Sequence, residues 1–276
     1  MRVILAGGGA GINILTSHTV PSGVRGVGIS TSDRAVSPGL GVEIFNTGIR
    51  EIRSWYVSHT SLVKQVAQFL PNPVRDAILS EFLIYISALG GETGTAIADS
   101  LILLRRPMRL STVCIFVLPF SAEKVRREKA FAEIKKFVSS FPCVVFDNDL
   151  LIRLIPDKSI SKAMGVVNSL ILEVAIFLSC SSSEGWKGFP AGWFIPIMGV
   201  KGSIERPFMD EGYTCGCDKV VHMFLPRGFG FRDQLLKTMH DRGYTIANEI
   251  ETEKGDDLWL GLLPVRQDTP GPGNDA

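Results

Sequence analysis

Residues Phe82 to Asp99 read FLIYISALGGETGTAIAD, and the fold turns on how that stretch divides. An apolar run from Phe82 to Ala88 breaks into Gly90, Gly91, Thr93, Gly94 and Thr95, and a second apolar run of helical character follows. A glycine-rich turn between a strand and a helix can aim several backbone N–H groups at one anion, with the positive end of the helix behind them. Glycine lets the backbone approach a phosphate with no Cβ in the way, and threonine hydroxyls add donors. A tight strand-to-helix turn that binds nothing fits the same residues.

Working outward, 276 residues suffice for one large domain or a main domain with a smaller partner, and 45% apolar residues supply a core. A net charge of +1 excludes a dominant attraction to nucleic acid or to a membrane surface. The opening MRVILAGGG is too short an apolar run for a signal peptide. The longest apolar stretch, Gly165 to Leu178, is interrupted by Asn168, Ser169 and Glu173 and falls short of the roughly 20 residues that span a bilayer. It reads as a buried core helix, so no transmembrane segment and a cytoplasmic location are expected. Five cysteines without a secretory signal fit a reducing compartment. Cys215, Cys217, His222 and His240 do not have a zinc-site spacing, and no metal centre is expected from them.

From the N-terminus, Arg2 to Ala6 reads as a strand, Gly7, Gly8, Gly9, Ala10 and Gly11 as a turn, and the residues to about Ser17 as a helix. Val24 to Ile29 is a second strand, closed by Thr31, Ser32 and Asp33. A loop is expected between Val36 and Thr47. Ile49, Ile52, Leu62, Val66 and Phe69 recur near helical spacing, which predicts a covering helix broken at Pro71. After the Phe82 strand and its helix to about Leu104 come a strand at Val113 to Leu118 and a helix in which Phe131, Ile134 and Val138 share a face. Ser121 reads as the cap of that helix, and Glu123 suits its positive end. A strand at Cys143 to Phe146 and a helix from Ile160 to Leu178 follow. This alternation predicts an α/β fold, a Rossmann-like parallel sheet with helices on both faces. Glycine turns after the first strand also suit a dinucleotide enzyme. The strict G-x-G-x-x-G fingerprint would need glycine where Ala6 stands, so an NAD-linked oxidoreductase stays as an alternative.

The segment L-G-G-E-T-G-T resembles the signature loop of the tubulin/FtsZ superfamily, G-G-G-T-G-T/S-G, with Glu92 and Ala96 in place of two glycines. G-G-A-G-I-N resembles the first loop of its prokaryotic branch, G-G-A-G-N-N, and T-S-D at Asp33 looks like its N-T-D. P-F-S-A-E-K-V-R-R resembles P-F-x-x-E-G-x-x-R, and the run from Asp149 to Lys158 is similar to D-x-L-I-x-I-P-N-D-K. The resemblance implies a GTP or GDP site that takes in Gly8, Gly9, Ala10, Gly11, Asn13, Asp33, Gly90, Gly91, Thr93, Gly94 and Thr95. It implies that Glu123 meets the ribose and Arg127 lies near the nucleotide. On the central helix it puts Met164 against the base and Asn168, one turn on, against guanine. Magnesium accompanies such nucleotides, although no motif here reads as its ligand set.

The resemblance thins after the central helix. Hydrolysing members carry an N-x-D-x-x-D type loop, whereas Ser179 to Gly192 reads SCSSSEGWKGFPAG, with Glu184 as its single acid. Asp210 and Glu211 come later at another spacing. Strands at Trp193 to Val200, Val220 to Leu225, Thr245 to Glu251 and Leu258 to Val265, with a helix at Arg232 to Asp241, predict a reduced α+β unit. Trp186, Phe189, Trp193 and Phe194 fit its core or a subunit contact. The expected division is a nucleotide-binding unit to residue 158, a central helix over 159–180, the reduced unit over 181–266 and a disordered end over 267–276. Two functions remain open: a guanine-nucleotide-binding cytoskeletal protein that assembles head to tail, with catalytic residues unassigned, or a non-polymerising partner of a related FtsZ-like protein.

Overall fold

The computed structural model describes residues 2–30, 40–46, 70–149, 159–181, 183–186, 189–202, 219–253 and 258–265. The first six strands are β1 (Arg2–Gly7), β2 (Val24–Ser30), β3 (Val42–Asn46), β4 (Phe82–Ala88), β5 (Ser111–Leu118) and β6 (Pro142–Asp147). They pair in the order β3-β2-β1-β4-β5-β6, every pair parallel. The connecting helices are α1 (Gly8–Leu15), α2 (Asn72–Ile78), α3 (Glu92–Arg105) and α4 (Lys124–Phe137), and α5 (Ile160–Ser179) follows β6.

Alternation along each strand sorts the core into two layers. Ile4 and Ala6 of β1 and Ile84 and Ile86 of β4 share one face with Ile14 of α1 and Ile171 and Ala175 of α5. Val3, Leu5, Leu83 and Tyr85 face the other way, onto α2, α3 and α4. Strands buried on both faces read as near-continuous apolar runs, which is why Phe82 to Ala88 shows no polar alternation. By length and composition α5 could cross a membrane. Here it packs on the sheet, with Val167, Ile171, Leu172, Ala175 and Leu178 buried in the same core as β1 and β4.

Two local expectations fail. The stretch expected as a loop contains β3, whose V-E-I-F-N is short and only half-buried because it is the sheet edge. Ser121 does not cap its helix: α4 begins at Lys124 with Glu123 in the N-cap position. The helix expected over Ile49 to Phe69, the residues 267–276 and Asp33 lie outside the described residues.

The remaining elements are the short helix α6 (Ser183–Trp186), β7 (Gly192–Val200), β8 (Val220–Pro226), α7 (Arg232–Asp241), β9 (Thr245–Thr252) and β10 (Leu258–Val265). Their strands continue the same sheet. β7 pairs parallel with β6 through Pro142↔Gly192, Cys143↔Trp193 and Val144↔Phe194, and β10 lies antiparallel between β7 and β8. Trp186 is buried against Phe82 and Phe224, so the tryptophan after the central helix is core.

Candidate functional site

In an open parallel sheet, ligands bind at the carboxyl ends of the strands where the winding direction reverses. That point falls between β1 and β4. Gly7 is paired in register with Ser87, so the turns that leave the two strands lie side by side. Their contact is close: a Cβ on Gly8, which has φ +72°, would come 3.1 Å from the Gly94 nitrogen. Each turn opens directly into a helix, α1 after Gly7 and α3 after Gly91. Two helix N-termini therefore meet at one place, and both favour an anion.

Two polar residues of β4 fix this arrangement. The Tyr85 hydroxyl donates to the Gly94 carbonyl at 2.6 Å, and the Ser87 hydroxyl donates to the Gly7 carbonyl at 3.3 Å. Tyr85 reaches Gly94 because Gly7 has no side chain: a Cβ there would sit 2.0 Å from the phenolic oxygen. Burial pushes the Tyr85 phenol well above its usual pKa, so it stays a donor at any physiological pH. Both residues could have been found in the sequence as the polar members, two apart, of an otherwise apolar strand.

The expected site residues divide as follows. Gly8 and Gly11 are buried, Gly11 against the Ile86 carbonyl, while Gly9 is half-buried and Ala10 and Asn13 are exposed on α1. Gly90 turns the chain at φ +77°, Gly91 is the N-cap residue of α3, and Thr93, Gly94 and Thr95 form its first turn. Thr95 is 4% exposed, and its hydroxyl has no hydrogen-bond partner among the described residues. Glu92 is exposed at the start of the helix, where a carboxylate favours the positive end. Met164 and Asn168 are half-buried on α5, one turn apart on one face.

The first turn of α4 closes on the Gly90 turn. A Cβ on Gly90 would lie 2.3 Å from the Arg126 carbonyl oxygen, and one on Gly91 would lie 3.8 Å from Arg126 Nη2. Glu123 accepts from the Phe120 amide at 3.3 Å and from Arg126 Nη1 at 2.8 Å. Arg127 faces elsewhere. Its guanidinium grips both oxygens of Asp147, at 3.1 and 2.5 Å, and reaches Asp149 at 3.3 Å. Asp149 also accepts the Ser121 amide at 2.7 Å. Arg127 thus ties the end of β6 to the β5–α4 connection, and Arg126 is the arginine beside the glycine turn.

Among the described residues, no group of three His, Cys, Asp or Glu side chains comes together to hold a metal ion. His222 is buried among Phe189 and Phe194, with the Asn248 side-chain amide 3.0 Å from its Nδ1. Cys215 and Cys217 lie outside the described residues.

No protein-family model matches the chain. Cell division protein FtsZ 1 of Pyrococcus furiosus is 31% identical over 113 residues, 40% of this chain and 30% of that protein, so the match spans under a third of the relative's length. Among solved structures, an FtsZ dimer from M. jannaschii superposes with a TM-score of 0.66 at 19% identity, covering 95% of this chain and 87% of that one. A GTPγS-bound protofilament of CetZ2 from Haloferax volcanii gives 0.62 at 13% identity, covering 97% and 94%. The chain therefore has the tubulin/FtsZ fold, and over 113 of its residues it is similar in sequence to an archaeal FtsZ.

Proposed function

We propose that the chain is a guanine-nucleotide-binding, cytoplasmic cytoskeletal protein that assembles head to tail. The observation that carries this reading is the junction of the two glycine turns at the β1/β4 switch point, with the unpartnered, buried Thr95 hydroxyl in the first turn of α3. A buried hydroxyl without a partner is costly, and a phosphate oxygen is the acceptor that the two helix N-termini favour there. Gly8, Gly90, Gly91, Gly94 and Thr95 would hold the phosphates, Glu123 the ribose, and Met164 and Asn168 the guanine. Methionine can pack on a purine through its thioether, and an amide carbonyl can accept from guanine donors. Any magnesium would arrive on the phosphates. The bound nucleotide supplies the group that a neighbouring subunit reads in the head-to-tail contact.

A second reading, a non-polymerising nucleotide-binding partner of an FtsZ-like protein, is favoured by the segment after α5. There Glu184 is the single acid, and Trp186 of α6 is anchored in the core, its indole donating to Ser181 Oγ. Chromatographic identification of nucleotide released from the purified protein tests the shared part of both readings. Bound GDP or GTP supports it, while NAD, or no guanine affinity, would leave only the fold. Sedimentation alone and with an FtsZ-like relative then separates self-assembly from partnership.

A further inference from the structure

We infer that Arg126, rather than Arg127, is the cation that a phosphate of the bound nucleotide meets at the Gly90–Gly91 turn, with Glu123 as the residue that holds it there. This rests on the nucleotide site proposed above and assigns a residue within it. The resemblance gives the basic role to the position of Arg127, but that side chain is 10% exposed and already serves two carboxylates, those of Asp147 and Asp149. Moving it onto a ligand would leave Asp147, 5% exposed, as a buried charge without its counter-ion, which no phosphate contact would offset cheaply.

Arg126 has the opposite character. It is 44% exposed and bonds one carboxylate oxygen through Nη1, while its Nη2 lies 3.8 Å from the position a Cβ would take on Gly91, the residue that opens α3. Its backbone touches Gly90, so the arginine is fixed to the turn at its root and open to solvent at its tip. The site also needs a cation. Glu92 and Glu123 place two carboxylates around the turn, and a nucleotide brings further negative charge. The planar guanidinium can keep one edge on Glu123 and present another to a phosphate oxygen, a division that a point charge makes less well.

The test is GDP affinity by calorimetry for the wild type, Arg126→Gln, Arg126→Lys and, as a control for lost charge one turn along the same exposed helix face, Lys129→Gln. Each is measured at about 50 and about 300 mM salt, since salt screens exposed charges. Arg126→Gln is expected to weaken GDP about ten-fold at low salt, with the gap narrowing at high salt, while melting temperature is unchanged. Arg126→Lys keeps the charge but not the fork and should recover part of the affinity, and Lys129→Gln should stay within about two-fold of wild type. Wild-type affinity in Arg126→Gln at low salt would overturn the assignment and leave the nucleotide site standing. So would a loss in Arg126→Lys as deep as in Arg126→Gln, or an equal loss in Lys129→Gln. Failure of the wild type to bind GDP would overturn the site itself and the assignment with it.

Discussion

A methyl group on Gly94 would sit 2.1 Å from Ser87 Oγ and 3.2 Å from both the Gly7 and Ala88 carbonyl oxygens. Gly94→Ala must therefore push the two turns apart or break the Ser87 bond, and overpacking of this kind costs about 1–3 kcal/mol. The expected outcome is a protein that melts earlier and has lost GDP affinity by calorimetry. Gly94→Asp, which adds negative charge, should lose binding entirely. Gly165 gives the contrast: it lies inside α5 with nothing within 4 Å of an added Cβ, so Gly165→Ala should stabilise by about 0.5–1 kcal/mol in urea unfolding. Arg105 is a buried residue of another kind. Wholly shielded from solvent, it donates to Thr112 Oγ1 at 2.6 Å, to the Ser111 and Ser80 carbonyls at 2.6 and 2.9 Å, and to the Ile78 carbonyl. Burial brings its pKa down to about 10, so it remains charged at neutral pH and its stabilisation comes from these acceptors. Arg105→Met keeps the volume but strands the acceptors, and a loss of about 1–3 kcal/mol in urea unfolding is expected.

At the scale of elements, Arg127 holds the start of α4 to the end of β6. Removing one partner of a buried ion pair costs about 3–5 kcal/mol, because the other charge stays behind. Arg127→Ala should therefore unfold at markedly lower urea, and Arg127→Ala with Asp147→Asn should recover part of that loss, a coupling that a surface pair would not show. This pair also marks the limit of what the chain discloses one-dimensionally. The strands and the two glycine turns were legible because apolar runs and glycine clusters are local signals, and the boundaries of α7 and β10 matched those read from periodicity. β3 was not legible, since four half-buried edge residues and the exposed Glu43 carry little apolar pattern. Neither was the choice between Arg126 and Arg127. The resemblance counts four positions on from Glu123, whereas the structure decides by what lies under each side chain: Asp147 beneath one, the Gly90–Gly91 turn beside the other. Ser121 looked like a cap because serine before a helix commonly is one, but its amide is taken up by Asp149.

At the scale of the whole molecule, the four C-terminal strands extend the first sheet through the β6–β7 pairing, so both halves share hydrogen bonds and an aromatic core. His222 belongs to that core, and burial lowers its pKa from the usual value of about 6.5. The unfolded chain then binds more protons than the folded one as pH drops below about 6.5. Its contribution to stability should be intact above that pH and decline below it, through the lowered folded pKa, and His222→Phe should flatten the acid side of a melting-temperature profile. The head-to-tail contact proposed above would extend as a filament when its rotation does not close. Phosphoryl transfer to water depends on positioning and electrostatics, and the segment after α5 offers Glu184 as its single acid. The expectation is GTP-dependent sedimentation without release of phosphate, unaffected by Glu184→Ala. Phosphate release that climbs with protein concentration would mean that a neighbouring subunit completes the site with an acid from another segment, and loss of that release in Glu184→Ala would identify Glu184 as the group supplied.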